Sequence, residues 1–89
     1  MPCISRFFGI AIYMYYNDHA PPHFHAIYGE YDAEIEIGSG NVIDGWLPKR
    51  AIKFVNEWAR IHRDELERDW QLAREERALQ PIPPLEPGR

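Results

Sequence analysis

The chain has 89 residues, 45% of them hydrophobic, with three tryptophans and a formal charge of -4, which fits one small globular domain and leaves no room for two independent cores. The acidic balance excludes a protein built as a whole to wrap phosphate backbones, while leaving a local basic patch open. Cys3 is the sole cysteine, which excludes an internal disulfide, and the apolar run from Phe7 to Tyr16 is too short to span a bilayer. With no signal-peptide pattern, a soluble cytoplasmic protein is expected.

From Ile4 to Tyr16 the residues are apolar or aromatic apart from Ser5 and Arg6, which predicts one strand buried on much of both faces. Asn17 to Pro22 then supplies turn formers, and Pro21-Pro22 disfavours helix before the next element. Between residues 23 and 37 the pattern alternates, with Glu30, Asp32, Glu34 and Glu36 on one parity and Tyr31, Ala33, Ile35 and Ile37 on the other. Gly29-Glu30 suits a two-residue type II′ loop, so strands are expected over 23–28 and 31–37. That loop would set Tyr28 opposite Tyr31, Phe24 opposite Ile35, His25 opposite Glu34 and His23 opposite Glu36. Paired residues share a sheet face, so His23 and His25 join the acidic side; a one-residue change in loop length would reverse this.

Gly38-Ser39-Gly40-Asn41 marks another turn, followed by a short strand from Val42 to about Trp46. Pro48 suits a first helical position, and Ile52, Val55, Trp58, Ala59, His62, Leu66, Trp70 and Ala73 recur at helical spacing. One helix is predicted over 48–77. Gln80 to Arg89 is Pro-rich without a period, an extended or flexible tail. The expected fold is therefore α+β: a small antiparallel sheet of three to four strands followed by one long C-terminal helix packed on one face, with residues 1–77 as the domain and 78–89 as the tail. One helix cannot cover both faces, so a protein partner or a second copy, a homodimer, is expected on the other.

Chemistry concentrates in Asn17-Asp18-His19-Ala20-Pro21-Pro22-His23-Phe24-His25, which holds three of the four histidines. Read as a metal site, His23 and His25 are paired imidazoles on one strand face, with His19 from the loop and Glu34 or Glu36 from across the hairpin, a donor set suited to zinc or another divalent ion. His23, His25 and Glu34 are also the candidates for acid-base catalysis. Read structurally, His23 and His25 are solvent-facing partners of Glu36 and Glu34, worth about 0.2 to 1 kcal/mol per pair, and Asp18 or His19 caps the turn. A ribonuclease reading adds Lys49, Arg50, Lys53, Asn56, Arg60 and Arg63 on the helix, opposed by the acidic residues around the histidines, which make nucleic acid a poor ligand for that sheet face. Pro2, if exposed by methionine removal, could serve as a catalytic secondary amine. Trp46, Trp58 and Trp70 read as core or interface anchors.

Met1-Pro2-x-Ile4-Ser5-Arg6-Phe7, Gly9-Ile10, Met14-Tyr15-Tyr16-Asn17-Asp18-His19, Pro21-Pro22-His23-Phe24-His25 and Tyr28-Gly29-Glu30-Tyr31, with Leu47-Pro48 and Glu57-Trp58-Ala59, resemble the bacterial domain-of-unknown-function family numbered 4160, over roughly residues 1–76. The resemblance implies no activity. It implies a protein partner, because members are often encoded beside a small family numbered 2442 in toxin-antitoxin-like pairs. The expected function is thus a small protein-interaction module, one component of such a pair; the alternative is a hydrolase or ribonuclease-type toxin using His19, His23 and His25, with or without a divalent metal.

Overall fold

In a computed structural model describing residues 2–88, the apolar run from Ile4 to Tyr16 is a hairpin rather than one strand. Phe8 and Gly9 both take positive φ (50° and 79°) between β1 (Cys3–Phe7) and β2 (Ile10–Tyr13), the backbone signature of a two-residue type I′ turn. A bulky aromatic at such a position gives no turn signal in composition, so the reversal was hidden inside a β-forming run.

The sheet therefore has five strands, one more than the upper expectation. It runs as an antiparallel meander, β1-β2-β3-β4-β5, with β3 at His23–Tyr28, β4 at Tyr31–Glu36 and β5 at Val42–Gly45. The β3–β4 register is the one the Gly29-Glu30 loop dictates: Tyr28 faces Tyr31, Phe24 faces Ile35, His25 faces Glu34 and His23 faces Glu36. Gly29 sits at φ 59°, as the first central residue of a type II′ turn requires.

The expected single helix over 48–77 is two helices, α1 (Lys49–Ile61) and α2 (Arg63–Arg74). His62 departs from helical geometry (φ -110°, ψ 28°), its Nδ1 lying 2.5 Å from Glu65 Oε1. The apolar stripe continues at helical spacing through this point, so periodicity alone cannot reveal the break. Val55 and Trp58 of α1 are fully buried against the sheet face carrying Ile12, Met14, Phe24 and Ile35, and Trp58 stacks edge-on to Phe24 with ring centroids 5.7 Å apart.

The Pro-rich segment has no helix or strand, yet it is bound along its length rather than loose. Ile82 and Leu85 are buried in the core, the Ile82 N–H donates to the Ile4 carbonyl (2.8 Å), Trp58 Nε1 donates to the Pro83 carbonyl (2.9 Å), and buried Asp69 accepts from the Gln80 N–H (3.1 Å). The division at residue 77 is thus no boundary in packing. Met1 and Arg89, the outer ends of the two expected segments, lie outside the described residues. Among the described residues no helix is long and apolar enough to cross a membrane.

Gly45 joins β5 to β4 at close quarters. It sits at φ 80°, and a Cβ there would lie 2.1 Å from the Asp32 carbonyl oxygen. Gly29 is also left-handed, but nothing lies within 4 Å of the place its Cβ would occupy. Gly45→Ala is expected to cost more than about 2 kcal/mol, and Gly29→Ala about 1 kcal/mol, the left-handed penalty alone. Urea midpoints of the two variants measure the difference, and equal midpoints would contradict it.

Candidate metal centre

Strand alternation sends Phe24 and Ala26 to the core and leaves His23 and His25 on the opposite face beside Glu34. The loop of residues 14–22 returns across this face and lowers Asp18 onto both imidazoles: Asp18 Oδ2 lies 3.0 Å from His23 Nε2 and 3.0 Å from His25 Nε2. Glu34 Oε1 approaches the same His23 Nε2 at 3.5 Å and His19 Nε2 at 3.9 Å. His19 stacks on His23 with centroids 4.9 Å apart.

His23 is not the solvent-facing residue of the structural reading. Its side chain is wholly inaccessible, walled by Trp70 of α2 with centroids 5.4 Å apart. Its Nδ1 lies 2.7 Å from the Pro21 carbonyl oxygen. A carbonyl only accepts, so Nδ1 carries the hydrogen, and in a neutral ring Nε2 then bears a lone pair. That lone pair points at the oxygens of Asp18 and Glu34, which are also acceptors. His23 Nε2, itself inaccessible, thus faces two partly exposed carboxylate oxygens as a third acceptor, an arrangement that a ring proton or a bound cation relieves.

Metal geometry matches this convergence. Tetrahedral ligands at the usual zinc distances of about 2.0 to 2.2 Å are separated from one another by roughly 3.3 to 3.6 Å; the His23–Glu34 separation of 3.5 Å falls in that range, and the two 3.0 Å contacts of Asp18 Oδ2 are hydrogen-bond lengths that open by a few tenths of an ångström to admit an ion. Two overlapping triads have ligand atoms within 4.8 Å of one another, Asp18-His23-His25 and His19-His23-Glu34. Both use His23. The Pro21 carbonyl behind Nδ1 is the kind of partner that orients a ligating imidazole.

Of the residues expected from sequence, His19, His23, His25 and Glu34 are brought together. Glu36 belongs to neither triad: it accepts from the Ser39 hydroxyl (2.5 Å) in the β4–β5 turn. Asp18, which sequence reasoning reserved for capping, is the residue it missed, although its Oδ1 does accept from the His19 N–H (2.9 Å). Its position beside His19 within the loop was the available signal. Pro2 lies elsewhere, its carbonyl accepting from the Met14 N–H (3.2 Å).

Beside the cluster a shallow cleft of about 230 Å³ is lined by Tyr15, His25, Asp32, Glu34 and Asp44. Burial, then the charge of Asp32, pushes the Tyr15 phenol above its ordinary value, so it remains a neutral hydroxyl donor through physiological pH. Its ring meets His25 edge-on at 4.3 Å. For Asp18, burial works to raise the carboxyl, but the hydrogen bond from His25, the His19 N–H and the charges of His23 and His25 outweigh it and hold the group below its ordinary value of 3.8.

A carboxyl whose folded pKa is depressed contributes stability that is full above its unfolded pKa and is lost as pH falls through the folded value. In chelator-treated buffer, the stability lost in Asp18→Asn should therefore be greatest above about pH 5 and should shrink steadily below about pH 4, near the ordinary aspartate pKa. Denaturant midpoints of both proteins from pH 2 to pH 7 check it; a difference independent of pH would show that Asp18 acts through packing alone.

The family model described as Domain of unknown function (DUF4160) matches residues 9–71. No curated protein and no solved structure matches the chain. The match runs from the second residue of the first hairpin turn through β2, the histidine loop, β3 to β5, α1 and most of α2, and the chain belongs to the DUF4160 family of domains of unknown function.

Proposed function

We propose that the protein binds a divalent first-row metal ion through Asp18, His23 and His25, with Glu34 and His19 as further ligands. The observation that supports this reading most strongly is the buried His23: its Nδ1 is committed to the Pro21 carbonyl, and its Nε2 is aimed at two carboxylates. Two imidazoles with one or two carboxylates suit zinc, iron or manganese better than magnesium or calcium. An ion held there supplies Lewis-acid polarisation and lowers the pKa of bound water. The open side is the cleft where Tyr15 offers a hydroxyl and Asp32 and Asp44 offer negative charge. The hydrolase reading rests on that cleft, with substrates that are not polyanions, because the cleft carboxylates repel phosphate.

The direct test is metal binding by untagged full-length protein. Zinc or cobalt should bind with a stoichiometry near one and raise Tm, because a ligand held only by the folded state stabilises it; His23→Ala and His25→Ala should each abolish the shift. Cobalt absorption in the visible region would report a mixed nitrogen and oxygen environment. No Tm shift with zinc, cobalt or manganese, or a shift retained in the His23→Ala, His25→Ala double variant, would overturn the proposal.

A second reading, the interaction module of a two-protein, toxin-antitoxin-like pair, draws on β5. This edge strand is exposed throughout, and Val42, Ile43 and Trp46 gather there with Tyr31, whose ring meets Trp46 at 5.0 Å. Trp46 is 60% exposed, the most exposed large hydrophobic residue among those described. An unpaired edge flanked by aromatics is a template for an added strand, and the occupant is a strand of a protein partner, with the family numbered 2442 as candidate. Co-expression with such a protein should give a complex that Ile43→Lys with Trp46→Ala weakens at least tenfold by titration calorimetry. Absence of a complex, or a complex indifferent to both changes, would remove this reading.

A further inference from the structure

The charges of this acidic protein are segregated. Residues 49–63 hold five of the ten basic residues and one of the fourteen acidic ones, so that stretch carries +4 and the remainder of the chain -8. Lys53, Asn56, Arg60 and Arg63 recur at intervals of three or four residues, which aligns them along one face of the helical segment. That face borders the turn between β4 and β5, and together they enclose a cleft of about 420 Å³ lined by these four residues, Ser39 and Gly40. Gly40 brings the turn close to α1: the place its Cβ would occupy lies 3.5 Å from Asn56 Oδ1.

Lys53, Arg60 and Arg63 are exposed and none forms an ion pair among the described residues. Arg68 and Arg77, by contrast, are paired to Asp69 and Glu75. Glu57 is the one carboxylate lining the cleft, and nearby Glu36 is engaged by the Ser39 hydroxyl. Three cations therefore share one concavity with one opposing charge. The cleft lies on the α1 side of the sheet, whereas His23 and His25 lie on the opposite face, so it is separate from the metal centre.

We propose that this cleft is a phosphate-binding site, with Lys53, Arg60 and Arg63 contacting phosphate oxygens and Asn56 positioning the group by its side-chain amide. Guanidinium groups match phosphate oxygens two at a time. The same chemistry serves a single-stranded nucleic acid or a free nucleotide. Lys53 to Arg60 on α1 spans about 10 Å of helix, and Arg63 follows across the break at His62, a stripe long enough for more than one phosphate.

Fluorescence anisotropy with the full chain, a labelled twelve-residue oligouridylate and, separately, a labelled adenosine nucleotide tests this. Three phosphate contacts on a single strand should give a slope of log K against log salt of about -2. The variant Lys53→Gln, Arg60→Gln, Arg63→Gln should bind at least tenfold more weakly while keeping the wild-type circular dichroism spectrum, and binding should persist in EDTA. Tighter binding of the oligomer identifies a nucleic-acid strand; equal binding of the nucleotide identifies a free phosphate ligand. No binding of either probe at 50 mM salt, equal binding of polyglutamate, or a folded triple variant that binds like wild type would overturn the site.

Discussion

The two-residue turn at Gly29-Glu30 is the constraint on which the site depends. It pairs Tyr28 with Tyr31 and thereby fixes every later pair of the hairpin, ending with His25 opposite Glu34 and His23 opposite Glu36. Because side chains alternate with a period of two, a slip of one residue would drive both imidazoles into the apolar face and expose Phe24 and Ala26 to water. The apolar parity guards against that slip: Phe24, Ala26, Ala33 and Ile35 are all essentially inaccessible. Burial of the core and placement of the histidines are thus one decision, made by one turn.

Around that hairpin the protein separates three tasks. The inner sheet face, closed by Val55 and Trp58 of α1, supplies the apolar burial. The outer face carries the titratable groups, and what distinguishes it from an ordinary solvated face is the loop that crosses it. Asp18 is delivered over both histidines, and Pro21 presents its carbonyl to His23 from behind. Trp70 then seals His23 away from water. Without that enclosure the imidazoles would be a hydrated pair; with it, the Pro21 carbonyl fixes the tautomer of His23 and its Nε2 faces carboxylate oxygens. The Pro-rich segment secures the arrangement from below, joining α2 through Asp69, β1 through Ile4 and α1 through Trp58.

Much of this was legible in the chain. Alternation from residue 23 to 37 and the Gly29-Glu30 dipeptide gave two strands and their register, and the apolar repeat from Ile52 to Ala73 gave the helical cover. Three features were not. The turn at Phe8-Gly9 was masked because a β-forming aromatic occupies a left-handed position that local propensity disfavours. The break at His62 was masked because helical periodicity survives a one-residue change of direction. The docking of Ile82 and Leu85 was masked because a PPII-like stretch has no internal period, and its affinity for the core resides in long-range contacts.

For the candidate site the division is equally physical. Sequence by itself determined the donor types and which of them share a sheet face, since spacing along a strand and loop length are local quantities. Only the tertiary structure decided that His23 is buried, that Asp18 joins it and that Glu36 turns away to Ser39. Those outcomes depend on how a nine-residue loop folds back over a sheet and on which helix reaches its end. Residue spacing encodes direction along an element, but convergence of side chains from a loop, two strands and a second helix is a property of packing alone.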